Sequence, residues 1–179
     1  MGIFTRFKDI INANINSMLD KAEDPEKMVK LMIREMEDTL VELKAACAGV
    51  MASRAKTQRS LDEAQSRSQQ WSDKARLAVT KDREDLAREA LREKAAYQER
   101  AESFGSEIEQ FNELIERYRK DIGALEDKLR TARDKQRVLA QRHIQAQKSQ
   151  KANKEIRKFE SRDAMLRFEH FEQDRKSVV

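Results

Sequence analysis

Residues 97–143 read YQERAESFGSEIEQFNELIERYRKDIGALEDKLRTARDKQRVLAQRH, and Tyr97, Phe104, Phe111, Tyr118, Leu125, Ala132 and Leu139 recur there at a fixed heptad interval. Ala101, Ile108, Ile115, Ile122, Leu129, Gln136 and His143 occupy the complementary positions between them. A two-position apolar repeat sustained this long under-winds an α-helix to about 3.5 residues per turn and predicts a left-handed supercoil. Such a seam has to be covered by a second helix.

Working upstream, the stretch from Pro25 to about Val79 keeps the same time. One seam reads Met36, Leu43, Val50, Thr57, Ala64, Trp71 and Ala78; the other reads Val29 or Ile33, Leu40, Cys47, Arg54, Leu61, Ser68 and Ala75. Arg54, Thr57 and Ser68 weaken its middle. The simplest arrangement folds the two seams onto each other as an antiparallel coiled-coil hairpin, with a first helix over 25–79, a tip over 80–85 and a second helix over 86–159. Facing residues then have numbers summing to roughly 165, which sets Leu61 against Phe104 and Leu40 against Leu125. The charges agree: residues 23–43 carry seven acids and three bases, whereas the opposed 122–142 carry six bases and three acids. Some 55 paired residues at about 1.5 Å each predict a hairpin of roughly 80 Å.

At the N-terminus, residues 1–22 predict an amphipathic helix. Phe4, Phe7, Ile11, Ile15 and Met18 fall close to one line at about 100° per residue, with Arg6 and Lys8 among the polar positions. Glu23, Asp24 and Pro25 then predict a hinge. Proline disfavours helical geometry at the preceding residue, Asp24 suits an N-cap, and Pro25 suits the first helical position. Beyond the hairpin, Ser161 is a plausible cap for a short C-terminal helix over 161–173, with Ala164, Met165, Phe168 and Phe171 as its apolar stripe. Residues 174–179 carry no pattern.

The whole-chain composition points the same way. Of 179 residues, 39% are charged, and only four are glycine and one proline, against about 25% charged in an average domain. So few turn-forming residues argue against β and α/β folds, leaving an all-α chain of few, very long helices. Net charge is +4, but 37 basic residues face 33 acidic ones, a mixed pattern rather than a nucleic-acid arm. Cys47 is the lone cysteine, so neither an intrachain disulfide nor a cysteine cluster for zinc can form. His143 in the seam and His170 near the end lack partners at metal-ligand spacing. No P-loop, catalytic constellation or cofactor motif is present, and a two-helix hairpin offers no concave pocket, so no catalytic residue, metal or cofactor is expected. No apolar run approaches the ~20 residues of a membrane-spanning helix, and the N-terminus lacks a secretory h-region, which predicts a cytoplasmic chain.

Three stretches carry a resemblance: MGIFTRFKDIINANIN from residue 1, KAEDPEKMVKLMIREMEDTLVELK from residue 21, and KDREDLAREAL at the tip. They closely resemble the family of phage shock protein A and the vesicle-inducing protein in plastids, which is similar in fold to the ESCRT-III membrane-remodelling proteins. The resemblance covers about residues 1–173. It implies a peripheral protein of the cytoplasmic face of the inner membrane that assembles into homo-oligomers on stressed membranes. It further implies binding and inhibition of a cognate AAA+ transcription activator, with membrane proteins of the same stress operon as recruiting partners. Members of the family continue into a further C-terminal helix that docks on a neighbouring subunit's hairpin tip.

For the N-terminal helix, the membrane reading rests on Phe4, Phe7, Ile11, Ile15, Met18, Arg6 and Lys8 meeting an anionic lipid surface, with packing on the hairpin or contact with a partner as the alternatives. Trp71 sits in a seam position whose neighbours Ser68, Ala75 and Ala78 are poor packers. It is either core or, with Arg83, Glu84 and Asp85 at the tip, the partner-binding surface for the activator that the resemblance implies. The run from Arg142 to Phe159 holds six bases against Glu155. It reads as a solvated face or as a contact with an acidic subunit surface or lipid phosphate. No helix-turn-helix or zinc motif accompanies it, so direct nucleic-acid binding is not expected.

Overall fold

Heptad-spaced apolar residues, with almost no glycine or proline to interrupt them, produce two very long helices. The computed structural model describes residues 2–176, the side chains of Phe171 and of 173–176 excepted. Four helices follow in order: α1 (Ile3–Asn12), α2 (Ile15–Asp20), α3 (Pro25–Thr80) and α4 (Glu84–Lys176). The described residues contain no strand. The fold divides into two compact units. One comprises the chain up to Ala13 with Arg34–Leu129; the other comprises Asn14–Ile33 with the described residues from Arg130 onward.

In the first unit α3 and α4 pack antiparallel. Met36, Leu43, Cys47, Ala64 and Ala75 from α3 bury against Ile108, Ile115, Tyr118, Leu125 and Leu129 from α4. Leu43 and Leu125 are fully enclosed. Arg54, a misfit in an apolar seam, donates through Nε to Asn112 Oδ1 at 2.6 Å, and Lys44 Nζ lies 2.7 Å from Glu126 Oε1. The residue numbers of these pairs sum to 166 and 170, so the offset widens away from the tip relative to the expected 165. Long polar side chains that reach diagonally can bridge that difference. In the second unit Val29, Met32 and Ile33 of α3 bury with Ile15 and Leu19 of α2 and Ala132 of α4. There His143 Nδ1 lies 3.6 Å from Glu26 Oε1.

The turn is tighter than the 80–85 stretch suggested by composition. Three residues, Lys81 to Arg83, separate the helices. Arg83 N–H donates to the Ala78 carbonyl at 2.9 Å and Asp82 N–H to the Val79 carbonyl at 3.1 Å, while Asp82 adopts φ 54°. This pair of bonds is the Schellman arrangement, with aspartate in the left-handed position that glycine usually fills. Aspartate tolerates that conformation better than bulkier residues do, so the chain reverses without a glycine.

Two expected boundaries are corrected. The N-terminal helix over 1–22 is two helices, broken at Ala13 and Asn14, where Ala13 takes an extended ψ of 132°. Asn14 Oδ1 accepts the Ser17 N–H at 3.2 Å, so a local cap competes with helix continuation. The separate helices over 86–159 and 161–173 are a single helix, because α4 continues through Ser161 to Lys176. Ser161 is only a weak competitor inside a helix, and no glycine or proline follows Gly123 to stop it. From Gln141 through His170 the α4 side chains are exposed, including Met165 and Phe168 of the expected apolar stripe and Ile156 and Phe159 before it. The Phe171 side chain and the end of the 174–179 tail lie outside the described residues.

Candidate membrane-facing site

α1 owes its helix to the spacing of Ile3, Phe7, Ile10 and Ile11, and it lies on the hairpin of the first unit. Ile10 is buried, and Ile3, Phe7 and Ile11 are half-buried. The Phe4 ring leans on Tyr118 with centroids 5.7 Å apart and planes tilted by 35°, yet Phe4 keeps 51% of its surface exposed. Arg6 pairs with Glu42 through Nη2 and Oε2. Lys128 Nζ donates to the carbonyls of Ile11 and Ala13 at 2.9 and 2.7 Å. Lys8 is exposed.

The break at Ala13 and Asn14 divides the expected stripe. Phe4, Phe7 and Ile11 belong to α1, whereas Ile15 and Met18 belong to α2, where Ile15 is buried and Met18 remains 39% exposed. Sequence periodicity therefore found the apolar residues but not that two separate surfaces share them. It also missed Glu42, Tyr118 and Lys128 as partners of α1. Tyr118 reads simply as a seam residue, and nothing local to Glu42 or Lys128 signals a contact so distant along the chain.

At the expected hinge, Asp24 Oδ1 accepts the Lys27 N–H at 3.0 Å and Pro25 opens α3. The aspartate satisfies one otherwise unpartnered amide, and proline lacks the N–H that this position would leave free. Glu23 lies exposed in the connection between α2 and α3.

A groove of about 550 Å³ at the tip is lined by Trp71, Leu77, Arg83 and Leu86, among others. Trp71 is half-buried, and Lys74 Nζ stands 3.9 Å from its ring centroid, a cation–π contact. Of the four residues expected to act together here, Trp71 and Arg83 share the groove. Glu84 lines a second groove that shares Arg83 with the first, and it pairs with Arg88 at 3.6 Å. Asp85 reaches the groove only through Arg83, whose Nε and Nη2 contact its two carboxylate oxygens at 3.3 Å each.

Those bonds from Arg83, and then the Leu86 backbone N–H, hold the Asp85 carboxyl below the usual carboxylate range. Because the folded value is depressed, the stabilisation is present above the ordinary carboxylate pKa. It is lost as pH falls through the lowered folded value. In an NMR titration the Asp85 midpoint should therefore lie below that of an unpaired aspartate, and Arg83→Met should move it upward. An unmoved midpoint would mean that the pair does not persist in solution.

Among the described residues no helix is long and apolar enough to cross a membrane, and no cluster of three or more His, Cys, Asp or Glu could hold a metal ion. A long antiparallel helical hairpin with an amphipathic N-terminal helix laid on its side defines a class of coiled-coil proteins. The chain belongs to the PspA/IM30 family, which it matches over residues 2–175. It is 35% identical over 156 residues to the membrane-associated protein Vipp1 of Synechocystis, covering 87% of this chain and 57% of that protein. It is 31% identical to the membrane-associated protein Vipp1 of Nostoc punctiforme, covering 97% of this chain and 67% of that one. A phage shock protein A homolog of Bacillus subtilis is 37% identical over 129 residues, 72% of this chain and 55% of the relative. The chain thus spans between about half and two thirds of the length of these relatives.

Proposed function

We propose that this chain is a peripheral membrane protein that assembles into homo-oligomers on the cytoplasmic face of the inner membrane and stabilises or remodels damaged bilayers. The observation that carries the reading is α1. Its apolar side chains lie on the hairpin surface instead of in the seam, Phe4 is half exposed, and polar contacts hold it down. An amphipathic helix placed this way can exchange the hairpin for the boundary between lipid headgroups and acyl chains. The names of the Vipp1 relatives, membrane-associated proteins, support the same assignment. One such helix binds weakly, and an assembly of many copies adds avidity. Electron microscopy and co-sedimentation with phosphatidylglycerol vesicles should show protein coats on the vesicles. Protein that stays in the supernatant and leaves vesicle shape unchanged would favour a purely structural coiled-coil scaffold.

We infer a regulatory role as well: the tip groove around Trp71 and Arg83 binds a cognate AAA+ transcription activator and inhibits it, with membrane proteins of the stress operon drawing the chain away to the bilayer. A half-buried tryptophan beside exposed Leu77 and Leu86 supports this, since such aromatics anchor protein interfaces. Trp71→Ala should relieve inhibition of the activator's ATPase while leaving helix content intact. Unchanged inhibition would remove the groove from the reading.

A further inference from the structure

The apolar residues that would enter lipid are the ones α1 now presses against the hairpin. Ile10 is buried, Phe7 and Ile11 are half-buried, and Phe4 rests on Tyr118. One set of side chains cannot cover the hairpin and a bilayer at once, so docking and membrane engagement exclude each other. We propose that Lys128 and Glu42 form a latch that holds α1 in a docked, membrane-incompetent state, and that anionic headgroups open it by taking Arg6 from Glu42. The proposal rests on the membrane reading of α1 given above.

The chemistry of each contact suits a latch. The carbonyls of Ile11 and Ala13 lie at the C-terminal end of α1, where acceptors lack intrahelical partners and the helix dipole is negative. α1 has no basic residue in its own last turn, so the cation comes from α4, as Lys128 Nζ at 2.9 and 2.7 Å. At the other end, Arg6 is held by a carboxylate. A lipid phosphate offers a guanidinium the same forked, charged acceptor. Exchange of Glu42 for phosphate therefore keeps Arg6 paired while α1 leaves. Apparent membrane affinity equals the intrinsic affinity scaled by the fraction of undocked α1. Weakening the latch should raise it.

Lys128→Met gives a test of unusual sign. It removes a positive charge, so simple attraction to an anionic surface would fall, whereas the latch predicts roughly three- to tenfold tighter binding to phosphatidylglycerol–phosphatidylcholine vesicles. Lys120→Met, an exposed charge on the same helix, should not strengthen binding, and Lys128→Gln backs up the Met variant should that one lose helix content. As a second arm, Arg6→Cys with Glu42→Cys in a Cys47→Ala background can be joined by a short bis-maleimide. The linked protein should stay unbound while the unlinked protein sediments. Lys128 variants that are helical yet bind no tighter than the unmodified chain, or a linked form that binds like the unlinked one, would overturn the latch. If deletion of residues 2–22 leaves vesicle binding unchanged, the membrane reading of α1 fails instead, whatever Lys128 does.

Discussion

Phe4→Glu is expected to abolish co-sedimentation with anionic vesicles while leaving the helical content of the hairpin intact. Phe4 belongs to the apolar stripe that α1 would bring to the acyl boundary once it leaves the hairpin. Full burial of a phenylalanine is worth about 1.5–3 kcal/mol, and an interfacial helix realises part of that. A glutamate in its place loses the gain and adds repulsion from anionic headgroups. Basic residues near such a surface contribute about 1 kcal/mol each, and Arg6 and Lys8 in α1 are opposed by Asp9. The apolar term should therefore dominate, and raised salt should weaken binding only mildly, since screening acts on the smaller term. Co-sedimentation of both proteins across a salt series checks the order. Collapse of binding at moderate salt, with Phe4→Glu behaving as the unmodified chain, would reverse it.

The second large effect concerns the hairpin itself. Leu125 is completely enclosed between α3 and α4, and Leu125→Ala should lower stability by about 2–5 kcal/mol through lost burial and the cavity left behind. A hairpin seam is thin, so neighbours can partly collapse into the space, which places the expectation toward the lower end of that range. Leu77, 61% exposed near the tip, provides the contrast: Leu77→Ala should stay within about 0.5 kcal/mol. Urea unfolding followed by circular dichroism measures both. Equal midpoints for the two variants would mean that burial at Leu125 does not carry the hairpin.

Pattern alone reached the architecture because every seam residue repeats a signal that its neighbours also carry. Tyr118, Leu125 and Ala132 are individually unremarkable, and together with Met36 and Leu43 they admit one packing that buries them all. The Asp24–Pro25 start was equally legible, since capping is a contact between residues three apart. Errors of boundary arose where local choices were nearly balanced. Asn14 tips the chain out of a helix with one side-chain hydrogen bond, and Ser161 fails to do the same.

What the sequence by itself determined is therefore the all-helical hairpin, the amphipathic character of its first residues and the proline-marked start of α3. These depend on periodicity and on contacts within a turn of helix. Only the tertiary structure decided where the N-terminal apolar residues go. The docking of α1 joins Phe4 to Tyr118, Arg6 to Glu42, and the Ile11 and Ala13 carbonyls to Lys128, pairs up to 117 positions apart. Which lysine, among many on one helix, meets an unpaired carbonyl follows from the register of two packed helices and the surface they jointly present, a property that no single stretch of sequence carries.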